Sequence, residues 1–130
     1  MNDWRAIAAV AVGAAMGGVL RYIVGQAFLQ RLGPGFPYGT LFINVSGSFA
    51  IGIIAQLAVS QARGVPPLLR LFAATGVLGG YTTFSTFSLE AVTLFGEGGI
   101  VASLLYTGAS VIAGFFAASI GIVVARLVAR

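Results

Sequence analysis

The side chains of this sequence that could do chemistry are hydroxyls, a carboxamide and phenyl rings that lie inside apolar segments. Several of them are concentrated in the stretch GVLGGYTTFSTFSLE, from Gly76 to Glu90, together with three glycines. Hydroxyl and amide hydrogens can replace the water around an anion, and main-chain carbonyl oxygens can replace the water around a cation. These residue types therefore indicate the binding and passage of small ions.

The remaining composition argues against several other kinds of protein. The chain has no cysteine and no histidine, and its three carboxylates lie near the ends of apolar segments, so the usual general bases, nucleophiles and metal ligands are missing. We therefore predict that it is not an enzyme. All seven basic residues are arginines at segment ends, where they would contact lipid headgroups, and they form no run with aromatics between them. No nucleic-acid partner is expected.

One polar stripe lies on the second apolar segment. Thr40, Asn44 and Ser48 are spaced four residues apart, which places them on one face of a helix. Hydrogen bonding between helices accounts for many hydroxyls in membranes. A carboxamide near mid-membrane needs several partners or water, so Asn44 is predicted to line a permeation path.

A second pair of polar side chains lies on the last apolar segment. Tyr106 and Ser110 are four residues apart and share a helix face. Tyr106 lies nearer the middle of its segment than the ends, which disfavours an interfacial role. Lining a path and bonding to a neighbouring helix both remain open for this pair.

The third apolar segment contains a predicted helix break. Gly79 and Gly80 lie near its middle and are followed by Tyr81, Thr82 and Thr83, which do not favour continuing a helix. Unwound backbone at mid-membrane is tolerated only where it is buried in protein or lines a cavity. Unwound carbonyls can coordinate a cation, and helix N-terminal amides favour anions. The break is therefore a plausible ion site.

Two phenylalanines follow the break on one helix face, Phe84 and Phe87. Aromatic rings carry a partial positive edge that can meet an anion. Phenylalanines at this spacing are also ordinary core residues, so the pair indicates an anion path only together with the hydroxyls and the asparagine.

The elements that must position these residues are apolar helices. Uncharged runs extend over residues 32–62, 71–89 and 98–125, and residues 6–29 are interrupted only by Arg21, so each can cross a bilayer. The prediction is an all-α membrane protein with four transmembrane helices, the third broken near mid-membrane. The chain is expected to form one domain over residues 1–130, with helices at about 4–29, 38–61, 68–95 and 100–127.

Arginine placement predicts the topology. Short connections make neighbouring helices antiparallel. The side of the termini carries most of the arginines and is predicted to face the cytoplasm. Frequent glycines within the spans indicate close helix packing and, in so small a unit, oligomerisation. The arginines on the side of the termini are Arg5, Arg63, Arg70, Arg126 and Arg130, against one or two on the other side, Arg31 with or without Arg21.

Three motifs resemble the CrcB (Fluc) family of bacterial fluoride channels. They are GGVLRY (17–22), GTLFINVSGSFAIG (39–52) and GGYTTFSTF (79–87), in the order and spacing of that family. The resemblance implies a fluoride-selective channel that exports fluoride by passive flux across the bacterial cytoplasmic (inner) membrane, as a multi-pass protein. It further implies an antiparallel, dual-topology homodimer with two fluoride pathways and a structural sodium ion (Na+) on the dimer axis.

The resemblance also implies roles for particular residues. Main-chain carbonyls of Gly79 and Thr82 would hold the sodium. Arg21 would lie near the aqueous mouth, where contact with headgroups and contact with the anion are both open. The fluoride pathway would be lined by Asn44, Phe84, Ser85, Thr86, Phe87, Tyr106 and Ser110.

Two other functions remain as alternatives. A small multidrug or cation transporter can also be a four-helix, dual-topology dimer, but such exchangers have a carboxylate in the first helix, and residues 6–29 contain none. A non-transporting assembly subunit would use its glycines and hydroxyls only for packing. The uneven arginine distribution fits strict dual topology less well, and paired homologues of fixed, opposite orientation are a conceivable variant.

Overall fold

The structure is a computed structural model that describes residues 3–60, 65–97 and 99–129. These residues form helices joined by short connections, which confirms the all-α prediction. The α-helices are α1 (Asp3–Leu32), α2 (Tyr38–Val59), α3 (Pro67–Arg70), α4 (Gly79–Tyr81), α5 (Phe84–Glu97) and α6 (Gly99–Val128), with a π-helical segment, Leu71–Leu78, between α3 and α4.

The first connection is determined by glycine and proline. Helix α1 continues three residues beyond its predicted end at Leu29 and stops where Gly33 adopts a φ of 75°, with its amide bonded to the Leu29 carbonyl at 2.9 Å. Glycine adopts this left-handed conformation without steric cost, which makes it a common helix terminator. Helix α2 then begins directly after Pro37.

Helix α2 ends slightly before its predicted boundary. Its last residue is Val59, and Ser60 is extended with a ψ of 119°. The predicted end at residue 61 lies outside the described residues, as do Arg63 and Arg130, on which part of the topology prediction depends.

The third span, Pro67–Glu97, is made of several pieces. Pro67 occupies the first helical turn, where its missing N–H is not needed. In the π-helical segment the turns are wider, and the amide of Gly79 bonds back to the carbonyl of Ala74, five residues earlier. The chain then leaves the helix at Thr82, with φ −79° and ψ 159°, and α5 starts at Phe84. We call Thr82 and Thr83 the break.

The helix is interrupted at the two threonines of the predicted break and not at the glycine pair before them. Gly79 is helical, with φ −63° and ψ −35°, and Gly80 lies within α4. Gly80 packs against the backbone of Ala14 in α1, where a Cβ would overlap the Ala14 carbonyl oxygen. Glycine at this position permits a close helix crossing, and the threonines that follow carry the change of direction.

Three described helices are long and apolar enough to cross a membrane, namely Asp3–Leu32, Tyr38–Val59 and Gly99–Val128. The interrupted third span lies between the second and third of these. The four predicted transmembrane helices fit this arrangement.

Close backbone contacts hold the spans together. Helix α2 packs on α6 at Gly52 and Gly121, and a Cβ on either glycine would overlap a carbonyl oxygen of the other helix. Helix α1 packs in the same way on the π-helical segment at Gly13 and Gly76. These contacts place the break and α5 beside the polar stripe of α2.

Candidate ion site

The break is held by the carboxamide of Asn44. Its Oδ1 accepts a hydrogen bond from the Thr83 amide at 2.9 Å, and its Nδ2 donates to the Thr83 carbonyl at 3.0 Å. In a continuing helix the Thr83 amide would bond the carbonyl of Gly79, four residues earlier. Asn44 takes that partner away and leaves the Gly79 carbonyl available to another ligand.

The Thr83 side chain starts the next helix. Its Oγ1 accepts the backbone amide of Thr86 at 3.2 Å and donates to the Thr86 hydroxyl at 3.0 Å. This is the geometry of a threonine N-cap, which satisfies one of the free amides at a helix start. The Ser85 hydroxyl lies 3.3 Å from the same oxygen. The sequence analysis assigned no role to Thr83, although a threonine directly before a helical segment is a known capping signal.

Tyr81 fastens the other side of the break to α2. Its ring is buried, and its hydroxyl lies 3.0 Å from the Ser46 hydroxyl. Gly47, the next residue on α2, leaves room for the methyl group of Thr82, which a Cβ at that position would overlap. The backbone on both sides of Thr82 is therefore fixed relative to α2.

A cavity of about 400 Å³ opens beside the break, and we call it the first cavity. Of the residues that the structure describes, those that line it carry no charged side chain. The Ser110 hydroxyl oxygen is buried and has no hydrogen-bond partner among the described residues. An unpaired buried hydroxyl is costly, so Ser110 is suited to a ligand inside the cavity. Six predicted site residues line this cavity, namely Asn44, Gly79, Thr82, Phe84, Phe87 and Ser110.

The two predicted phenylalanines lie together at this cavity. Their ring centroids are 5.7 Å apart, and the Phe87 ring is 5.3 Å from the ring of Tyr106. Phe84 is 79% exposed in the single chain, whereas Phe87 is half-buried. The arrangement offers ring edges to the cavity and leaves one large ring without protein cover.

A carboxylate that the sequence analysis placed near a helix end lies among these residues. Glu90 accepts the Thr40 hydroxyl at Oε1, at 2.8 Å, and the Tyr106 hydroxyl at Oε2, at 2.7 Å. Tyr106 is fully buried. Two roles were left open for Tyr106, and the structure shows the second, a hydrogen bond to a neighbouring helix. The sequence gives Glu90 no site role because it lies toward one end of the third span, and its partners are on other helices.

A second cavity, of about 840 Å³, lies between α1, the connection to α2 and α5. Arg21, Thr86 and Glu90 line it, and so does Glu97. Arg21 Nη1 also donates to the Thr82 carbonyl at 3.4 Å. Ser85 lines neither of these two cavities, and its position beside Thr83 is a supporting one.

The main-chain carbonyl oxygens at the break are of the type that binds a hard cation. Gly79 and Thr82, the residues expected to hold sodium through their carbonyls, both line the first cavity. Oxygen ligands of this kind are those that hard cations prefer. The described residues contain no group of three or more acidic, histidine or cysteine side chains that could hold a metal ion. A cation held here would meet main-chain oxygens and the neutral side-chain oxygens that line the same cavity.

Comparison with known proteins agrees with the sequence resemblance. The family model for "CrcB-like protein, Camphor Resistance (CrcB)" matches residues 8–122. A protein of Rhizobium meliloti (strain 1021) is 54% identical over 102 residues, which cover 78% of this chain and 81% of that protein. A protein of Nitrobacter winogradskyi (strain Nb-255) is 46% identical over 125 residues, which cover 96% and 98%.

Both relatives are named "Fluoride-specific ion channel FluC". Ion channels are not enzymes, so these names confirm the non-enzyme prediction. Together with the apolar helices, they identify a multi-pass membrane protein. Because the family model covers most of the chain and the two relatives align over 78% and 96% of it, the chain belongs to the CrcB family.

Proposed function

We propose that this protein is a fluoride-selective channel through which fluoride leaves the cytoplasm passively across the bacterial cytoplasmic membrane. The observation that carries the proposal is the first cavity, which combines the Asn44 amide, the unpaired Ser110 hydroxyl and the Phe84 and Phe87 rings without a charged side chain. The names of the relatives support fluoride as the ion.

The chemistry of the cavity suits a small, strongly hydrated anion. Several hydrogen-bond donors must replace the water that fluoride loses, and a narrow path disfavours larger halides. A fixed positive charge inside the path would bind the anion too tightly for rapid passage. Neutral donors such as Asn44 and Ser110, and ring edges, replace water without that charge.

The pathway would continue from the first cavity along α5. Thr86 lines the second cavity and bonds Thr83, and Tyr106 approaches Phe87 from α6. Ser85 belongs to the same hydroxyl cluster. Arg21 would serve the aqueous end of this route, in the second cavity.

The working unit in this proposal is an antiparallel, dual-topology homodimer with two pathways. Gly79 is exposed in the single chain and the neighbouring Phe84 ring is largely uncovered. A backbone carbonyl that has lost its helical hydrogen bond costs roughly several kcal/mol when it faces lipid. A second copy placed over the break would cover both the carbonyl and the ring.

Within that dimer, the carbonyls of Gly79 and Thr82 from both copies would hold a structural sodium ion. The support is that both carbonyls lie at the break. The Thr83 amide, which would bond the Gly79 carbonyl in a continuing helix, bonds Asn44 instead, and Thr82 has left the helix. When bound, the ion would supply positive charge to these oxygens and link the two copies.

The test is flux from liposomes loaded with potassium fluoride and containing the purified full chain. After a potassium ionophore is added, a fluoride electrode should record rapid release, while liposomes loaded with chloride should retain it. Release no faster than from protein-free liposomes would sink the proposal. It would then favour the packing-subunit alternative.

The half-buried Glu90 carboxylate supports a second candidate, a proton-coupled transporter. A carboxylate held by Thr40 and Tyr106 inside the helices could carry protons in exchange for substrate. Flux driven by potential alone at equal pH on both sides supports the channel. Flux that appears only with a pH gradient supports the transporter.

A further inference from the structure

The contact between Arg21 and the Thr82 carbonyl joins the two cavities. Arg21 lies on α1 and lines the second cavity, whereas Thr82 lies at the break and lines the first. The guanidinium Nη1 donates to the carbonyl oxygen at 3.4 Å, in a half-buried position. Thr82 therefore lines the first cavity and, through its carbonyl, holds a side chain that lines the second.

This oxygen is one of the atoms that the proposed sodium site would use. A guanidinium is a permanent cation, and it competes with another cation for the electron density of a shared carbonyl. The two positive charges also repel each other, and the repulsion is strong where water is partly excluded. A sodium ion and Arg21 therefore oppose each other at Thr82.

We propose that Arg21 couples the cation site to the anion path. A cation at the Thr82 carbonyl moves the guanidinium toward the second cavity, where it meets incoming anions. By linkage, an anion that holds Arg21 in the second cavity strengthens cation binding by the same factor. This inference rests on the proposed function, because it assumes the sodium site and the anion path.

The surroundings of Arg21 allow such a shift. The acidic side chains that line the second cavity with it are Glu90 and Glu97. Both oxygens of the Glu90 carboxylate already accept hydroxyl groups, from Thr40 and Tyr106. The bond that the structure gives for the guanidinium is the one to the Thr82 carbonyl, so a shift away from Thr82 breaks no ion pair among the described residues.

The experiment measures sodium binding through stability and not through flux. The thermal unfolding midpoint of the purified full chain is recorded over a sodium chloride series, with N-methyl-D-glucamine chloride holding ionic strength constant. For the unaltered chain the midpoint should rise with sodium, because a ligand that binds only the folded state stabilises it. In Arg21→Gln the half-saturating sodium concentration should fall by about tenfold, since a nearby like charge is removed.

Two variants serve as controls. Arg21→Lys retains the charge and should stay within about threefold of the unaltered chain, in line with the charge being the cause. Arg31→Gln removes an arginine that is exposed at the end of α1, and its half-saturating sodium concentration should not change. Equal values for Arg21→Gln and the unaltered chain would overturn the coupling while leaving the sodium site in place.

A second arm uses the unaltered chain alone and remains decisive if Arg21→Gln does not fold. Fluoride, added as the N-methyl-D-glucamine salt in exchange for chloride, should lower the half-saturating sodium concentration. No shift with fluoride overturns the coupling. If sodium does not raise the midpoint at all, the sodium site and this inference both fail, whereas fluoride flux from liposomes still decides the channel function separately.

Discussion

Two regions of this molecule hold helices together by opposite means. Where α2 meets α6, contact depends on side chains that are absent, because Gly52 and Gly121 let the two backbones touch. At the break, contact depends on polar side chains, because Asn44 and Ser46 of α2 bond the residues around Thr82. Both regions lie within apolar spans, so the difference is not one of depth or composition.

The two regions differ in function as well, because one packs helices and the other forms the wall of the proposed ion path. Lipid tails are as apolar as leucine, so helices in a bilayer associate through close van der Waals contact and hydrogen bonds. The glycine contact supplies the first kind, and neither Gly52 nor Gly121 lines the first cavity. The polar contact supplies the second kind and forms the wall of the first cavity. Substitutions in the two regions should therefore fail in different assays.

The largest effect is expected at the glycine contact. Gly52→Val places a branched side chain on the Ala118 carbonyl, and overpacking of this kind costs roughly 3 kcal/mol or more. The protein should be lost or aggregated on gel filtration. Gly108→Val is the matched control, because nothing lies within 4 Å of a Cβ at Gly108. If both variants were equally stable, the packing role of Gly52 would be refuted.

The next largest effect separates flux from folding. Asn44→Leu removes both bonds to Thr83 and leaves its amide and its carbonyl without partners, at a cost of roughly 1–3 kcal/mol for each group. Because the wall of the first cavity is disturbed and a donor is lost, fluoride flux should fall by about 100-fold or more. The protein should still elute as a folded species at the volume of the unaltered chain, with a lower unfolding midpoint.

Ser119→Ala provides the control for Asn44→Leu. Its hydroxyl bonds only the Phe115 carbonyl of its own helix and is exposed, so its loss should leave flux unchanged. Undiminished flux in Asn44→Leu would contradict the assignment of Asn44 to the path.

The smallest effect is expected at the Tyr81 hydroxyl. Tyr81→Phe keeps the buried ring and loses the bond to Ser46, which should lower the free energy of unfolding by about 1 kcal/mol. Ser46→Ala should have a similar effect, and the double variant should cost little more than either single one. Fully additive losses, measured by denaturant unfolding in detergent, would show that the two hydroxyls do not act together.

The helices could be predicted from the sequence, and the details of the break could not. Apolar runs determine where a chain can cross a membrane, and this information is local. The position of the break depends on Asn44, which is 39 residues from Thr83, and on the approach of Ala14 to Gly80. A glycine that allows a close crossing and one that ends a helix look the same in a sequence.

The site residues divide in the same way. Residue type and spacing pointed to Asn44, Phe87 and Ser110, and the structure brings them to one cavity. Glu90 was not selected, because its importance comes from two partners on other helices, Thr40 and Tyr106. Pairing across helices is not encoded in local periodicity.

The two hydrogen bonds between Asn44 and Thr83 also fix the orientation of the Asn44 carboxamide. A carboxamide without such bonds can turn either its oxygen or its NH2 group toward a ligand. Here the Thr83 amide requires the oxygen and the Thr83 carbonyl requires one hydrogen of the nitrogen, so the end-for-end flip is forbidden. After these two bonds the nitrogen keeps one N–H hydrogen and the oxygen keeps one lone pair, in fixed directions. If an anion binds Asn44, it can therefore meet only that one N–H, and the direction of this hydrogen fixes the place of the anion.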